Sequence, residues 1–333
     1  MIFSKLEAEL QALENLDTAE ADLENLKLEF FYMRGRFYIL DGHYEAGVSD
    51  IHSTIERAKR NHSQKYLFEG YKQLIFYYIQ IADPAGMERY LDLAFDLADR
   101  ANDFLEICVL LRLQGVCRFM QGNYDSAETL LQKSIDMMTL TSSMAGRYAL
   151  NIAGCYYYLA EIKMNRSDLD ASLRYYEKAI SLCPNSAILS LTLLYIGAGK
   201  VSYFLQDEER TRKYIVSSSV LSHSLDSFWR QSTLEACAAL LSFTDRKYED
   251  CIRHLNRARD CMQRFQNPTD RGFVHFAETI LRMQVSGIPA LQKTFEKVLP
   301  ESYRYYCQLA LNHLDSNMDR CEIGQLRELI YAD

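Results

Sequence analysis

The chain has 333 residues, 48% of them hydrophobic and 25% charged, which is enough apolar material for a sizeable core and argues against a disordered chain. Glycine and proline number only 14 and 5, too few for the many tight turns of a sandwich, barrel or propeller, which leaves helices. Against 45 acidic residues stand 37 basic ones, and the net charge of −8 repels phosphate backbones, so direct nucleic-acid binding by this chain is not expected.

Residues 1–22 are acidic and amphipathic, with no basic stretch ahead of an apolar one, and so do not read as a secretory leader. Within them, residues 4–16 read as a capping helix, and 1–27 as an N-terminal cap. Beyond it a short phrase recurs: Gly42-His43-Tyr44-Glu45-Ala46-Gly47, Gly122-Asn123-Tyr124-Asp125-Ser126-Ala127 and Ser167-Asp168-Leu169-Asp170-Ala171-Ser172. Each has a turn residue, a polar residue, a bulky apolar residue, two more and then a small one. With the turn residue as the mark, weaker copies start at Ala82, Gln206, Arg246 and Ser286, giving spacings of 40, 40, 45, 39, 40 and 40 residues. Self-similarity at such a period is the signature of a repeat architecture.

A helix is predicted on each side of a mark. After the fourth, Leu169, Ser172, Leu173, Tyr176, Ala179 and Ile180 recur at spacings of three and four, one helical face, and Pro184 stops it. Before the marks, Gly35, Gly115, Ala160 and Gly199 hold the same place, seven residues upstream, where a small residue lets two helices approach closely. The register runs over residues 28–305. Residues 303–314 and 319–331 read as a final helical pair, and 306–333 as a C-terminal cap for the apolar end of the array. No Ser/Gly/Pro-rich linker interrupts it, so 1–333 is expected to be a single domain.

The run from Tyr156, Leu159 and Ala160 through Ser167-Asp168-Leu169, Ser172, Tyr176 and Ala179 to Pro184 resembles a tetratricopeptide repeat, and the copies around Gly115/Ala127 and Gly35/Gly47 match nearly as well. The resemblance implies an all-α fold, an α-solenoid of about seven antiparallel helix pairs with helical caps. A period near 40 lengthens the family's ~34-residue unit, and such long repeats resemble those in the sensor regions of bacterial helix-turn-helix transcription regulators.

Chemistry is sparse. Gly197-Ala198-Gly199-Lys200-Val201 lacks the first glycine, the Ser/Thr after the lysine and the preceding strand of a phosphate loop, and reads as a close helix contact. No G-x-S-x-G, no H-E-x-x-H and no histidine pair at helical spacing occur, so no catalytic residue, metal or cofactor is expected and the chain does not read as an enzyme. Asp207-Glu208-Glu209 reads as a solvated turn, and Cys251 with His254 as a packing or surface pair. Nine cysteines without any C-x-x-C fall on apolar helix faces, the usage of buried free thiols in a reducing, cytoplasmic setting. The most apolar windows, 74–82 and 186–199, fall short of the ~20 residues a bilayer requires, and no membrane span is expected.

In the family resembled, the first helix of each pair lines the concave side. That register points Tyr32, Arg36, Lys72, Phe76, Arg112, Val116 and Phe119 inward, followed by Tyr157, Glu161, Ile196, Lys200, Tyr203, Leu240, Phe243, Phe276 and Ile280. The expected binding residues among them are Tyr32, Arg36, Lys72, Phe76, Arg112, Phe119, Tyr157, Glu161, Lys200 and Tyr203: cations that suit carboxylates, among rings that supply apolar area. The lysine and asparagine set with which members of the family clamp chaperone tails is absent, since Tyr32, Arg36, Gln73, Val109 and Leu113 stand there.

The expected function is a protein- or peptide-binding module for a partner with an anionic part, serving as the ligand-sensing part of a bacterial transcription regulator. A DNA-binding part is then expected on another chain or a removed portion, because no basic helix-turn-helix segment precedes the repeats. The alternatives are a peptide-regulated response-regulator phosphatase, for which the amino-terminal segment with its one glutamine, Gln11, is too short, and a scaffold that self-associates, for instance as a homodimer.

Overall fold

The structure is a computed structural model, and it describes residues 8, 20–140, 146–225, 229–265 and 267–286. Apart from residue 8, the end helices expected at 4–16, 303–314 and 319–331 lie outside these residues. Every regular element described is a helix: α1 Glu20–Leu40, α2 Tyr44–Arg60, α3 Gln64–Gln80, α4 Pro84–Arg100, α5 Phe104–Met120, α6 Tyr124–Met138, α7 Ala149–Asn165, α8 Leu169–Leu182, α9 Ile188–Phe204, α10 Glu208–Ser222, α11 Gln231–Thr244, α12 Tyr248–Arg264 and α13 Pro268–Ser286. They fall into two compact units, Met1–Gly122 and Asn123–Asp333. Each unit is a stack of antiparallel helix pairs in which consecutive helices pack together. In the second, the odd helices also meet in sequence, α7 with α9, α9 with α11 and α11 with α13. The fold is thus the all-α, repeated helix-pair architecture expected.

The forty-residue phrase has a local cause. At six of the seven marks the backbone turns left-handed, at Gly42 and Gly122 with φ 81° and 76°, and at Ala82, Ser167, Gln206 and Arg246 with φ between 56° and 61°. In five of these turns two amides close back on the helix just ended, as where Gly42 N–H donates to Ile39 O and His43 N–H to Tyr38 O, and Gln206 N–H to Tyr203 O and Asp207 N–H to Ser202 O; at Gly122 its own amide donates to Phe119 O. This pattern satisfies two carbonyls that the helix end would orphan. His62 and Asn102 make the same turn between pairs. At five helix starts an acidic or amide side chain takes up free amides: Asp83 accepts from Ala85 and Gly86, Asp103 from Leu105 and Glu106, Asn123 from Ser126, Asp168 from Ala171 and Asp207 from Arg210. The acidic turn at 207–209 therefore begins with a helix cap. The seventh mark, Ser286, is the last described residue and is still helical.

Packing repeats with the same period. Gly35, Gly115, Ala160 and Gly199 are buried, as are Gly47, Met87, Ala127, Ser172, Thr211 and Cys251 five residues after the marks. A tyrosine pair recurs between the two helices of three pairs: Tyr71 on Tyr90, Tyr156 on Tyr175 and Tyr195 on Tyr214, with centroids 6.1, 5.9 and 6.1 Å apart. Polar side chains tie neighbouring repeats, including Tyr44 to Gln80, Arg57 to Glu24, Lys163 to Glu128 and Tyr214 to Glu177, at separations of 33 to 37 residues. Six cysteines, Cys108, Cys117, Cys155, Cys183, Cys237 and Cys251, are buried free thiols, and Cys261 is partly buried. Among the described residues no helix is long and apolar enough to cross a membrane.

Candidate functional site

In the first unit the odd helices carry a ladder of polar groups. Tyr32 on α1 donates its hydroxyl to Glu69 on α3 at 3.0 Å. Lys72, one turn further along α3, stands 2.6 Å from Glu69 and 3.5 Å from Glu106 on α5, with its ammonium over the Phe68 ring. Burial, then the Glu69 charge, pushes the Tyr32 phenol up to about 12, with Arg36 opposing. Arg36 itself is exposed, and Phe76 and Phe119 are partly buried. Arg112 lies ten residues before its mark, as Lys72 does, yet its buried Nε has no hydrogen-bond partner, and neither has Gln73 Oε1 on α3. Of the basic residues expected here, Lys72 is held by two carboxylates, and Arg112 has none among the described residues.

In the second unit the expected residues sit in a buried ionic network. Glu161 of α7 is 4% exposed and Lys200 of α9 is 1% exposed. They occupy equivalent places, six residues before successive marks, and Lys200 Nζ lies 3.4 Å from Glu161 Oε1. The same oxygen accepts a short hydrogen bond from the Tyr176 hydroxyl of α8. Gly197 makes room for that phenol, since a Cβ there would overlap the Tyr176 ring. The lysine of the Gly197-Ala198-Gly199 run is thus a buried ion-pair partner inside a helix, and the run is the close helix contact expected. Tyr157, partly buried, neighbours Glu161, and burial carries its phenol well above the ordinary value. Tyr203 is raised to about 12 by burial, with Cys237 next to it.

Two further charges complete the network, and the sequence reading missed both. Arg230, just before α11, is 7% exposed, and Asp270, in the first turn of α13, is 1% exposed. Arg230 Nε lies 3.1 Å from Asp270 Oδ1, and the Thr233 hydroxyl donates to the same oxygen at 3.0 Å. The pair stands forty residues apart at equivalent places near the starts of consecutive odd helices, a register signal that could have found them. Two acidic and two basic groups balance one another, as burying them demands. On Glu161 burial acts upward most strongly, but Lys200, Arg230 and the Tyr176 hydroxyl together hold the carboxyl below its usual range. On Asp270 burial prevails, and its carboxyl lies above the usual range despite Arg230, Thr233 and Lys200.

His254 does not face Cys251 as a base faces a nucleophile: its Nδ1 is 2.6 Å from Glu235, while Cys251 is buried in the apolar core. Among the described residues no cluster of His, Cys, Asp or Glu could hold a metal ion. The side chain of Ile280 lies outside the described ones. The odd helices of the first unit thus bring a paired lysine, a phenol and unpartnered polar atoms among aromatic rings, whereas the corresponding charges of the second unit are buried in ion pairs.

The chain matches no protein-family model and no curated protein. Its fold does match solved structures. Apo RapI superposes with a TM-score of 0.55 over 99% of this chain and 90% of that one, at 11% identity. The apo form of the quorum sensor NprR from B. thuringiensis gives 0.55 over 99% and 92%, at 13% identity. NprR in complex with its cognate peptide NprX superposes less well, at 0.40 over 92% and 98% with 14% identity. At these identities the likeness to the two apo proteins concerns the fold: repeated helix pairs along nearly the whole chain.

Proposed function

We propose that the chain is a peptide-binding module of the tetratricopeptide type whose odd helices present the binding surface, and that it serves as the sensing part of a regulator. The observation that carries this reading is Arg112 and Gln73. They offer a buried guanidinium nitrogen and a buried amide oxygen, both without partners among the described residues, on odd helices rich in tyrosine and phenylalanine. An extended peptide supplies what they lack: a carbonyl or carboxylate for the arginine and an N–H for the glutamine. The fold supports the same reading, since the quorum sensor NprR, whose apo form has this architecture, takes a cognate peptide. Cys251 is buried in the apolar core and His254 is held by Glu235 instead of facing it, which favours binding over catalysis there. The free, buried cysteines suit work in the cytoplasm.

The test is retention of peptides by the immobilised full chain under reducing conditions, for wild type and for Arg36→Glu/Arg112→Glu, with helicity checked by circular dichroism. Lys72 is left intact because it already holds Glu69 and Glu106. Loss of a retained peptide from the variant is expected; unchanged retention would move the binding surface away from the odd helices of the first unit.

A further inference from the structure

Asp270 is the poorly served member of the buried network. Its Oδ1 meets Arg230 and Thr233, but Oδ2 has no hydrogen-bond partner among the described residues. Beside Arg230 in sequence, Trp229 Nε1 and Ser232 Oγ are likewise buried and unpartnered. A buried carboxylate with an unserved oxygen bears the loss of its hydration without full replacement. Glu161 lives among the same cations and is well served, by Lys200 and by the Tyr176 hydroxyl.

The element that brings Asp270 here is α13. Asn267 caps it, accepting from Thr269 at 2.9 Å and from Asp270 at 3.2 Å, and Pro268 opens it. Its aromatic residues reach back two repeats to α9: Phe273 lies 5.9 Å from the Lys200 ammonium, and Phe276 meets Phe204 edge-on at 5.6 Å. The first turns of α13 therefore lay a carboxylate followed by aromatic side chains onto a surface built of arginine, lysine and aromatic rings.

We propose that Arg230, with Lys200, is a carboxylate anchor of the second unit, and that Asp270 holds the anchor in the ligand-free protein as a stand-in for the carboxylate of a peptide. This rests on the peptide-binding reading and adds to it where one end of the ligand sits and what it displaces. No covalent bond changes: the incoming carboxylate takes the guanidinium in a two-oxygen contact, Asp270 passes to water, and the first turn of α13 yields. The raised carboxyl of Asp270 fits a group that is readily given up.

The chain carries its own reporter. Trp229 is its single tryptophan, is 6% exposed, and has the Arg230 guanidinium 5.2 Å from its ring. The full chain is titrated with N-acetyl-Phe-Phe as the free acid, with its C-terminal amide, and with N-acetyl-Phe-Glu amide, while Trp229 emission and acrylamide quenching are followed. The free acid is expected to change emission and the first amide to leave it unchanged. A response to the Glu peptide as well assigns any carboxylate to the anchor, and its absence assigns a chain terminus. Asp270→Asn, similar in shape but without the charge, should bind the free acid at least about tenfold tighter than wild type, and Arg230→Gln should lose the response. Thr233→Val, which removes a hydrogen bond and keeps the charge, should stay nearer wild type than Asp270→Asn.

Should Asp270→Asn lose helicity, the rise in Trp229 quenching when the free acid is added to wild type still decides. No Trp229 response to any carboxylate, or equal affinity of wild type and a folded Asp270→Asn, overturns the anchor. If peptides are still retained through Arg112 in that event, the peptide-binding reading survives its loss; if Trp229 responds while retention is insensitive to Arg112, the anchor stands and the surface assigned to the first unit falls.

Discussion

Gly35 and Gly47 stand backbone against backbone where α1 crosses α2: a Cβ on Gly35 would lie 3.0 Å from the Gly47 carbonyl oxygen, and one on Gly47 would lie 2.9 Å from that of Gly35. Backbone cannot step aside as the tip of a side chain can. Gly47→Ala, whose Cβ would also come 2.8 Å from the Ile39 amide nitrogen, is expected to cost about 1–3 kcal/mol, seen as a lower urea midpoint. Gly146→Ala, with nothing within 4 Å of the added carbon, is the control and should stay within about 0.5 kcal/mol of wild type.

The left-handed turns predict gains as well as losses. Ala82 and Gln206 hold φ of 56° and 58° with side chains that oppose that conformation. Ala82→Gly and Gln206→Gly should each stabilise by about 0.5–1 kcal/mol, the relieved strain exceeding the entropy that glycine adds to the unfolded chain. Gly122→Ala, at φ 76°, should lose about 1 kcal/mol. Thermal unfolding of the three variants reads all of these shifts.

Asp245 sets an acid limb. Arg212 of α10 grips it through two hydrogen bonds, at 2.9 and 2.5 Å, and these bonds, with burial opposing, hold its carboxyl at about 2 against an ordinary 3.8. A carboxyl lowered in the folded state contributes stability that is complete above the ordinary value and lost as pH falls toward the folded one. Urea midpoints measured between pH 5 and about 2.5 should therefore fall less steeply for Asp245→Asn than for wild type. Parallel acid limbs would show that this surface grip contributes nothing.

The described thiols should be inert in the folded protein. Burial pushes Cys117 to about 11, Cys237 to about 12 and Cys261 to about 11, far from the thiolate that alkylation needs. Iodoacetamide at neutral pH, followed by peptide mapping, should leave Cys108, Cys117, Cys155, Cys183, Cys237 and Cys251 unlabelled in buffer and labelled in urea. Labelling of any of them in buffer would locate a segment that opens without global unfolding.

The helix pairs are legible in the sequence because turn, cap and small packing residue are local demands that recur at fixed offsets. The register even located the left-handed turns at Ala82, Gln206 and Arg246, where no glycine marks them. The site is less legible. Glu161 and Lys200 fall on an odd-helix face by register, but a charged residue on a helix reads as solvent-facing until Tyr176, Arg230 and α13 are known to surround it. Arg230 and Asp270 stand near the starts of their helices, away from the positions that set the repeat pattern, and their contact belongs to tertiary packing. The partners of Tyr32 and Lys72 on neighbouring helices are hidden for the same reason, whereas the recurring tyrosine pairs have an offset that could have been read.

The polar ties between repeats also set an order of assembly. Most join residues 33 to 41 positions apart, so a chain leaving the ribosome can close each one as soon as the next repeat has emerged. The contacts of Phe273 and Phe276 with Lys200 and Phe204 span two repeats and must wait for α13. Until then Lys200 and Arg230 lack the aspartate and the rings that later cover them, and the half-made protein shows water a cationic surface that the finished one conceals.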